Sequence, residues 1–325
     1  MKKWMILASL AVSLLAGTWT AQADANEFEK QAIPYTDISG HWAEKEIREL
    51  YIHGALGQSD SFRPNDPVTR QELITMFLRA KGIQPTASGT SSFADVEAGS
   101  WLAPYAETAY RLGLIHGQKN GGKVWFRPDD PIKREELVSI LIRARGESGA
   151  VNNLKWSATV QALAGYGDGD EVGQPYQRPF VYALQHKLVQ PYSDQTLKPQ
   201  QNMTRAEAAT YAALHLLQKQ SGGPQLADLG VPYRQALTVQ TTAYSYPADQ
   251  PILSYLEYPL RVGVVAVDPT VIPLGSHLYI EGYGYAVAAD IGGAVKQNKV
   301  DLYLPTKAAA VQHGIQQGVQ VYVLE

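Results

Sequence analysis

The stretch FRPNDPVTRQEL at residues 62–73 returns as FRPDDPIKREEL at 126–137 and, loosened, as LKPQQNMTRAEA at 197–208. The arginines at equivalent positions, Arg70, Arg134 and Arg205, give a period of 64 and then 71 residues. A second half-motif precedes each copy: YTDISGHWAEKEIRELYIHGAL from Tyr35, FADVEAGSWLAPYAETAYRLGLI from Phe93, and DGDEVGQPYQRPFVYALQHKLV from Asp168. The first two carry Trp42 and Trp101; the third has no tryptophan there. Recurrence on this scale marks a repeat architecture, in which each unit buries its apolar face only against its neighbours.

Each unit reads as two helices around a Pro/Asp-rich loop. Trp42, Ile47, Leu50 and Tyr51 fall near one face of the first helix, and Leu73, Met76, Phe77 and Ala80 recur at three and four in the second, with Gly82 as a stop. Thr69 with Glu72, and Thr204 with Glu207, form capping boxes. Lys133 replaces the threonine in the second copy, which weakens that cap by about 1 kcal/mol. Capping does not require the arginine inside each box. Two roles fit it: a guanidinium fork gripping a ligand carboxylate in bidentate geometry, or a structural salt bridge. Trp42 and Trp101 likewise fit either stacking on sugar rings or core packing.

From Ile33 to Leu217 the paired half-motifs resemble surface-layer homology (SLH) repeats, at 33–83, 91–147 and 160–217. The resemblance implies an α-helical, pseudo-three-fold bundle whose grooves bind pyruvylated secondary cell-wall polysaccharide. Arg70, Arg134 and Arg205 then become the ligand contacts, assisted by Trp42 and Trp101. The third groove is the most eroded.

Residues 218–236 lose periodicity and read as a linker. From Leu237 to Glu325 the chain turns strand-rich, with LTVQTTAYSY, VGVVAVDP, SHLYIEGYG, YAVAAD, KVDLYL and VQVYVLE separated by Pro, Gly and Asp. Six short strands in about 90 residues suggest a small closed barrel, because closure removes edges. The one helical candidate is Thr306–Gln317, with Thr306 as N-cap. Three aspartates stand at strand ends or inside apolar strands, where an unpaired carboxylate is costly. Asp268 precedes Pro269 and Asp290 precedes Gly292-Gly293, so either can shape a turn. Asp301, flanked by Val300 and Leu302, starts no turn, which leaves a solvated strand face or a functional carboxylate. If the three converge, burial and mutual repulsion raise at least one pKa into a range useful for acid catalysis.

GVVAVDPTVIPLGSHLYIEGYGYAVAADIGGAVKQNKVDLYL resembles the three-aspartate (3D) domain of bacterial wall enzymes, a family related to the barrel of membrane-bound lytic transglycosylase A. The resemblance implies a six-stranded double-psi β-barrel that cleaves MurNAc–GlcNAc bonds of peptidoglycan glycan strands, leaving 1,6-anhydro ends. It makes Asp301 the catalytic acid/base and Asp290 and Asp268 supporting carboxylates, with Thr242, Tyr244 and Lys296 on the substrate side. Ile291 stands where the family has threonine and Gln297 where it has glycine, and 247–261 is poor in small residues. Tyr246, Tyr283 and Tyr303 are candidate sugar platforms. Two other readings use the same residues: a non-catalytic wall-binding or structural module, and an O-glycosyl hydrolase.

Composition agrees with an exported protein. Lys2 and Lys3, the apolar run Trp4–Leu15 and Ala21-Gln22-Ala23 form a secretory signal over residues 1–23, and nothing later is long and apolar enough to span a bilayer. Cysteine is absent, which removes disulfides, thiolate metal sites and a cysteine nucleophile. The seven histidines form no HxxxH or HExxH pair, and the net charge of −3 gives nucleic acid no electrostatic footing. No cofactor and no metal is implied. The expected location is secreted, on the cell wall or cell surface of a Gram-positive-type bacterium.

Overall fold

A computed structural model describes residues 33–86, 89–217, 224–226, 229–247 and 252–325. The expected signal segment lies outside the described residues, as does much of the expected linker.

Three loop–helix units build the N-terminal region. Helices α1 (Glu44–Ile52) and α2 (Arg70–Ala80) belong to the first, and α3 (Ala103–Arg111), a small hairpin of β1 (Gln118–Asn120) and β2 (Lys123–Trp125), and α4 (Arg134–Ala144) to the second. Two short helices, α5 (Ser148–Asn152) and α6 (Trp156–Leu163), lead into α7 (Gln174–Gln185) and α8 (Arg205–His215) of the third. The capping boxes form at Thr69 and Thr204. At Lys133, whose side chain is donor-only, just the return bond survives, with Lys133 N–H donating to Glu136 Oε2 at 3.1 Å.

The helices of one unit find their main partners in the next. Helix α2 packs on α3, α4 on α7, and α8 returns to α1. Main-chain bonds close the same ring: Val68 N–H donates to Met203 O, Met203 N–H to Ile132 O, and Ile132 N–H to Val68 O, at 2.9, 3.0 and 3.1 Å. An aspartate shapes each Pro-rich loop. Asp37, Asp95 and Asp168 each accept two successive backbone N–H groups, those of Phe62-Arg63, Phe126-Arg127 and Leu197-Lys198, at 2.7–2.8 Å. Arg63, Arg127 and Lys198 sit at φ of 57°, 60° and 46°, a left-handed conformation that costs a non-glycine residue about 1 kcal/mol and that these charge-assisted bonds offset.

The C-terminal region is a closed six-stranded barrel in the order β3-β7-β4-β6-β5-β8. Its strands are β3 (Tyr233–Tyr244), β4 (Val264–Val267), β5 (His277–Ile280), β6 (Gly284–Asp290), β7 (Lys299–Tyr303) and β8 (Gln316–Leu324). Strand β3 pairs in parallel with β7 and antiparallel with β8, so it begins at Tyr233, inside the segment read as linker. Helix α9 (Lys307–His313) is capped by Thr306, whose Oγ1 accepts from Ala309 N–H at 3.1 Å. It ends four residues earlier than its sequence pattern suggests, because Gly314 turns the chain at φ 60° and Gln316 already belongs to β8. Val239, Val265, Leu278, Val300, Leu302 and Val321 fill the barrel interior.

Repeats and barrel share a core, since Tyr285 and Leu324 of the barrel are buried in the cluster formed by the helices. Arg111 of α3 donates to Tyr285 O at 2.8 Å and to Tyr283 O, lying over the Tyr283 ring. In the other direction, Arg261 donates to Tyr110 O and lies 3.9 Å over that ring. Lys81 Nζ donates to Glu325 O and Tyr285 Oη to Gln84 O, at 2.7 and 2.6 Å. Gly275, at φ 90°, lets the two backbones touch: a Cβ there would stand 2.7 Å from Gly146 O.

Candidate active site and wall-binding residues

On β7 the period of two decides where the carboxylate points. Val300 and Leu302 enter the barrel core, so Asp301 between them faces outward, half-buried. Register carries Thr242 of β3 beside Asp301, and Thr242 Oγ1 donates to Asp301 Oδ1 at 2.7 Å. On its other side Asp301 is opposite Ala266 of β4, and Ala266 is in turn opposite Asp290 at the end of β6. Asp290 accepts from Tyr244 Oη at 3.1 Å and from the backbone N–H groups of Tyr255 and Ile291 at 3.0 Å each. Burial holds the Asp301 carboxyl above the ordinary range, and the Asp290 charge adds to this, against the Thr242 hydrogen bond and the His313 charge. Burial, then the charge of Asp290, also raises the Tyr244 phenol far above its usual range, so it stays a neutral donor. The result is one carboxyl whose pKa burial raises, beside a second that is held by three donors.

Asp268 belongs to a different network. It accepts from Thr270 N–H and Oγ1 at 3.0 and 2.7 Å and from Gln297 N–H at 2.7 Å. These bonds, the Gln297 one foremost, hold its pKa below the usual carboxylate range, with help from Lys296. Asp268 therefore shapes the turn after β4 and ties it to the 296–297 loop, and exposed Lys296 acts on Asp268 in that loop. Among the tyrosine candidates, Tyr303 is buried and Tyr283 spans the barrel end, donating to Tyr303 O and accepting from Gly263 N–H. Tyr246 is exposed and meets Tyr244 edge-on at 6.0 Å. Two further contributors carry no signal in the sequence. The Tyr255 main chain holds Asp290, a role with no side-chain signature. His313 of α9, whose Nε2 lies 3.0 Å from Thr241 Oγ1, reaches the field of Asp301.

In the helical ring each motif arginine reaches the next unit. Arg70 Nε donates to Phe126 O and Nη1 pairs with Glu136, both at 2.8 Å. Arg134 donates to Gln190 O and Tyr192 Oη, at 2.8 and 3.2 Å, and stacks over the Tyr192 ring. Arg205 closes the circle on the first unit, donating to Phe62 O at 2.7 Å, pairing with Glu72 and lying over Phe62. Each is largely buried by these contacts. Trp42 and Trp101, by contrast, are 62% and 61% exposed. Trp42 precedes α1 and does not share the buried face of Ile47 and Leu50, which leaves its indole facing solvent.

The family model for the S-layer homology domain matches residues 34–74, 92–138 and 165–209, and that for the 3D domain matches 263–325. The chain carries three S-layer homology domains and one 3D domain. This content places it at the cell surface or cell wall. The chain is similar to an amylopullulanase of Thermoanaerobacterium thermosulfurigenes, 31% identical over 66% of this chain and 11% of that one. The cell wall-binding protein YocH of Bacillus subtilis is 60% identical over 16% of this chain and 18% of that protein. The chain thus spans less than a fifth of these relatives' lengths. Among solved structures, E. coli MltA with bound chitohexaose is similar at 25% identity and a TM-score of 0.21, covering 24% of this chain and 29% of that one. The site pair Asp290 and Asp301 falls inside the 3D domain match, whereas Thr242 and Tyr244 precede it on β3.

Proposed function

We propose that the chain is a wall-anchored peptidoglycan lytic transglycosylase, built from a pseudo-three-fold helical anchor and a double-psi barrel. The observation that carries this reading is Asp301: a half-buried carboxyl with a raised pKa, oriented by Thr242 and standing beside Asp290. Protonated Asp301 donates to the glycosidic oxygen as the bond to C1 of the muramic residue breaks. Positive charge develops at C1, near the Asp290 carboxylate, which keeps its place through Tyr244, Tyr255 and Ile291. Asp301, now a carboxylate, takes the proton of the C6 hydroxyl, and that oxygen bonds to C1 to close the 1,6-anhydro ring. One residue thus serves first as acid and then as base. Exposed Tyr246 and Tyr255 offer ring faces to neighbouring sugars. Ile291 gives its backbone N–H to Asp290, a bond that needs no threonine side chain.

In the anchor, exposed Trp42 and Trp101 stack on sugar faces of an acidic secondary cell-wall polysaccharide. The arginines serve there chiefly by fixing one domain on the next. The match of the S-layer homology family model to 34–74, 92–138 and 165–209 supports this part of the reading.

Digestion of purified peptidoglycan followed by mass spectrometry tests the chemistry. Anhydro-muramic ends are expected. Reducing ends make the barrel a hydrolase in which Asp290 aids a water, and no released product makes it a glycan-holding module. Sedimentation with walls stripped of secondary polymer tests the anchor, since undiminished binding contradicts the polysaccharide reading.

A further inference from the structure

A cavity of about 220 Å³ lies where the second repeat, the third repeat and the barrel meet, far along α4 from Arg134. Its walls include Arg143 of α4, Arg178 of α7, His116, and the barrel segment Leu256–Tyr258. Among the described residues no hydrogen bond or ion pair is made by the side chain of Arg143, and the Nε atoms of Arg143 and Arg178 and Nδ1 of His116 are all buried without a partner. A buried N–H left unmatched costs about 1–3 kcal/mol, more for a charged group. Those three atoms are closed off from solvent, so what the cavity offers a ligand is the partly exposed outer edge of two guanidinium groups that have no acceptor among the described residues.

The nearby protein groups do not fill that role. Glu136, the carboxylate closest in the field of Arg143, is committed to Arg70 at 2.8 Å. The Tyr258 hydroxyl is engaged with Ser148 Oγ at 2.7 Å, and the Tyr258 ring packs on His116 at 4.5 Å. The Arg178 guanidinium lies 4.9 Å over the half-exposed Trp156 ring, which fixes its plane and leaves its edge for a ligand. Burial, reinforced by Arg143 and Arg261, keeps His116 neutral, so it adds a hydrogen-bonding atom without another charge. Glu257 lines the mouth and is exposed. Two guanidinium groups against one rim carboxylate leave a net positive cavity. Its volume is below the roughly 300–1,000 Å³ of pockets for drug-sized ligands, which suits one acidic sugar residue or a phosphate group.

We propose that this cavity binds a small anionic ligand, a sugar carboxylate or a phosphate group, held between the guanidinium groups of Arg143 and Arg178. The site is composite: helices of two repeats supply the cations and the barrel supplies the opposite wall, so occupancy joins anchor and barrel. It does not depend on what the barrel catalyses. The test is calorimetric titration of the full chain at low ionic strength with glucuronate, with inorganic phosphate, and with glucose as uncharged control. One-to-one saturation by glucuronate or phosphate but not by glucose is expected, and whichever anion binds more tightly identifies the source of the charge. R143Q and R178Q should each weaken binding about tenfold or more, as loss of a charge-assisted pair does. E257Q, at an exposed position, should tighten it severalfold by removing the competing carboxylate. Saturation by neither anion, or unchanged affinity in R143Q and R178Q, overturns the proposal. So does an unchanged affinity in E257Q, which decides the matter even where an arginine variant does not fold.

Discussion

Truncating Arg205 to alanine separates the two roles that its motif suggests. The guanidinium donates to Phe62 O at 2.7 Å, pairs with Glu72 and lies 4.8 Å over the Phe62 ring, and the side chain is only 14% exposed. A hydrogen bond from a charged group contributes about 1.5–3 kcal/mol, and a partly desolvated cation–π contact about 0.5–2 kcal/mol. These terms overlap, since one guanidinium makes them all, and Glu72 keeps Arg63 as a second partner at 3.2 Å. The expected loss is therefore about 2–4 kcal/mol. Arg48→Ala is the control: it removes an exposed (i, i+4) pair with Glu44 that solvent screens and that adds little to stability. Urea denaturation followed by far-ultraviolet circular dichroism should show the midpoint of Arg205→Ala fall by about 1 M or more, while that of Arg48→Ala barely moves. If Arg205→Ala unfolds with the wild-type protein yet no longer sediments with walls, the arginine is a ligand contact and the structural account of the ring is wrong.

Asp301→Asn should lower glycan release by about 10²–10⁴-fold with unchanged circular dichroism; full activity in that variant removes Asp301 from the mechanism. Because the folded pKa of Asp301 is raised, its acid form persists above the usual aspartate range, so activity should fall as pH rises through that raised value. His277 is buried at the seam, and its pKa is pushed down to about 3 by burial and by Lys81. Its stabilising contribution is complete above the unfolded value of about 6.5 and drains away as pH falls towards 3. His116 and His215 are shifted the same way, so the urea midpoint should drop steadily between pH 7 and 4 and flatten in His277→Asn; an equal slope in that variant contradicts the assignment. Gly275→Ala places a Cβ against Gly146 O at φ 90° and should cost several kcal/mol, read as a lower melting temperature.

Much of this architecture is legible in the chain because it is written in local chemistry. The capping boxes at Thr69 and Thr204, the Gly82 stop and the alternation around Asp301 each depend on neighbours within four residues. What escapes is long-range. Whether Trp42 faces core or solvent is settled by how α1 meets α8, a helix some 160 residues away in sequence. The partners of Arg70, Arg134 and Arg205 lie in the following repeat, so no spacing announces them. Asp37, Asp95 and Asp168 recur at matching places, yet their purpose appears only with the left-handed residues they hold. In the barrel, Asp290 and Asp301 meet through pairing across β4, whereas Asp268 is claimed by Thr270, two residues away, and by Gln297. The start of β3 at Tyr233 was hidden because Tyr233–Ala236 become a strand only where β8 offers them a partner.

The seam between repeats and barrel bears on reach. A catalytic unit on a loose leash samples a sphere and meets targets according to the leash length. Here Arg111 and Arg261 lock each half to the other's main chain, and Tyr285 sits in the helical core. The distance and angle from the repeats to Asp301 are consequently constants of the molecule. In the proposed reading, such a mount works as a compass with a set radius: where the anchor lands decides which glycan bond is within range. Regulating the spacing of landing sites on the wall would then regulate where it is cut.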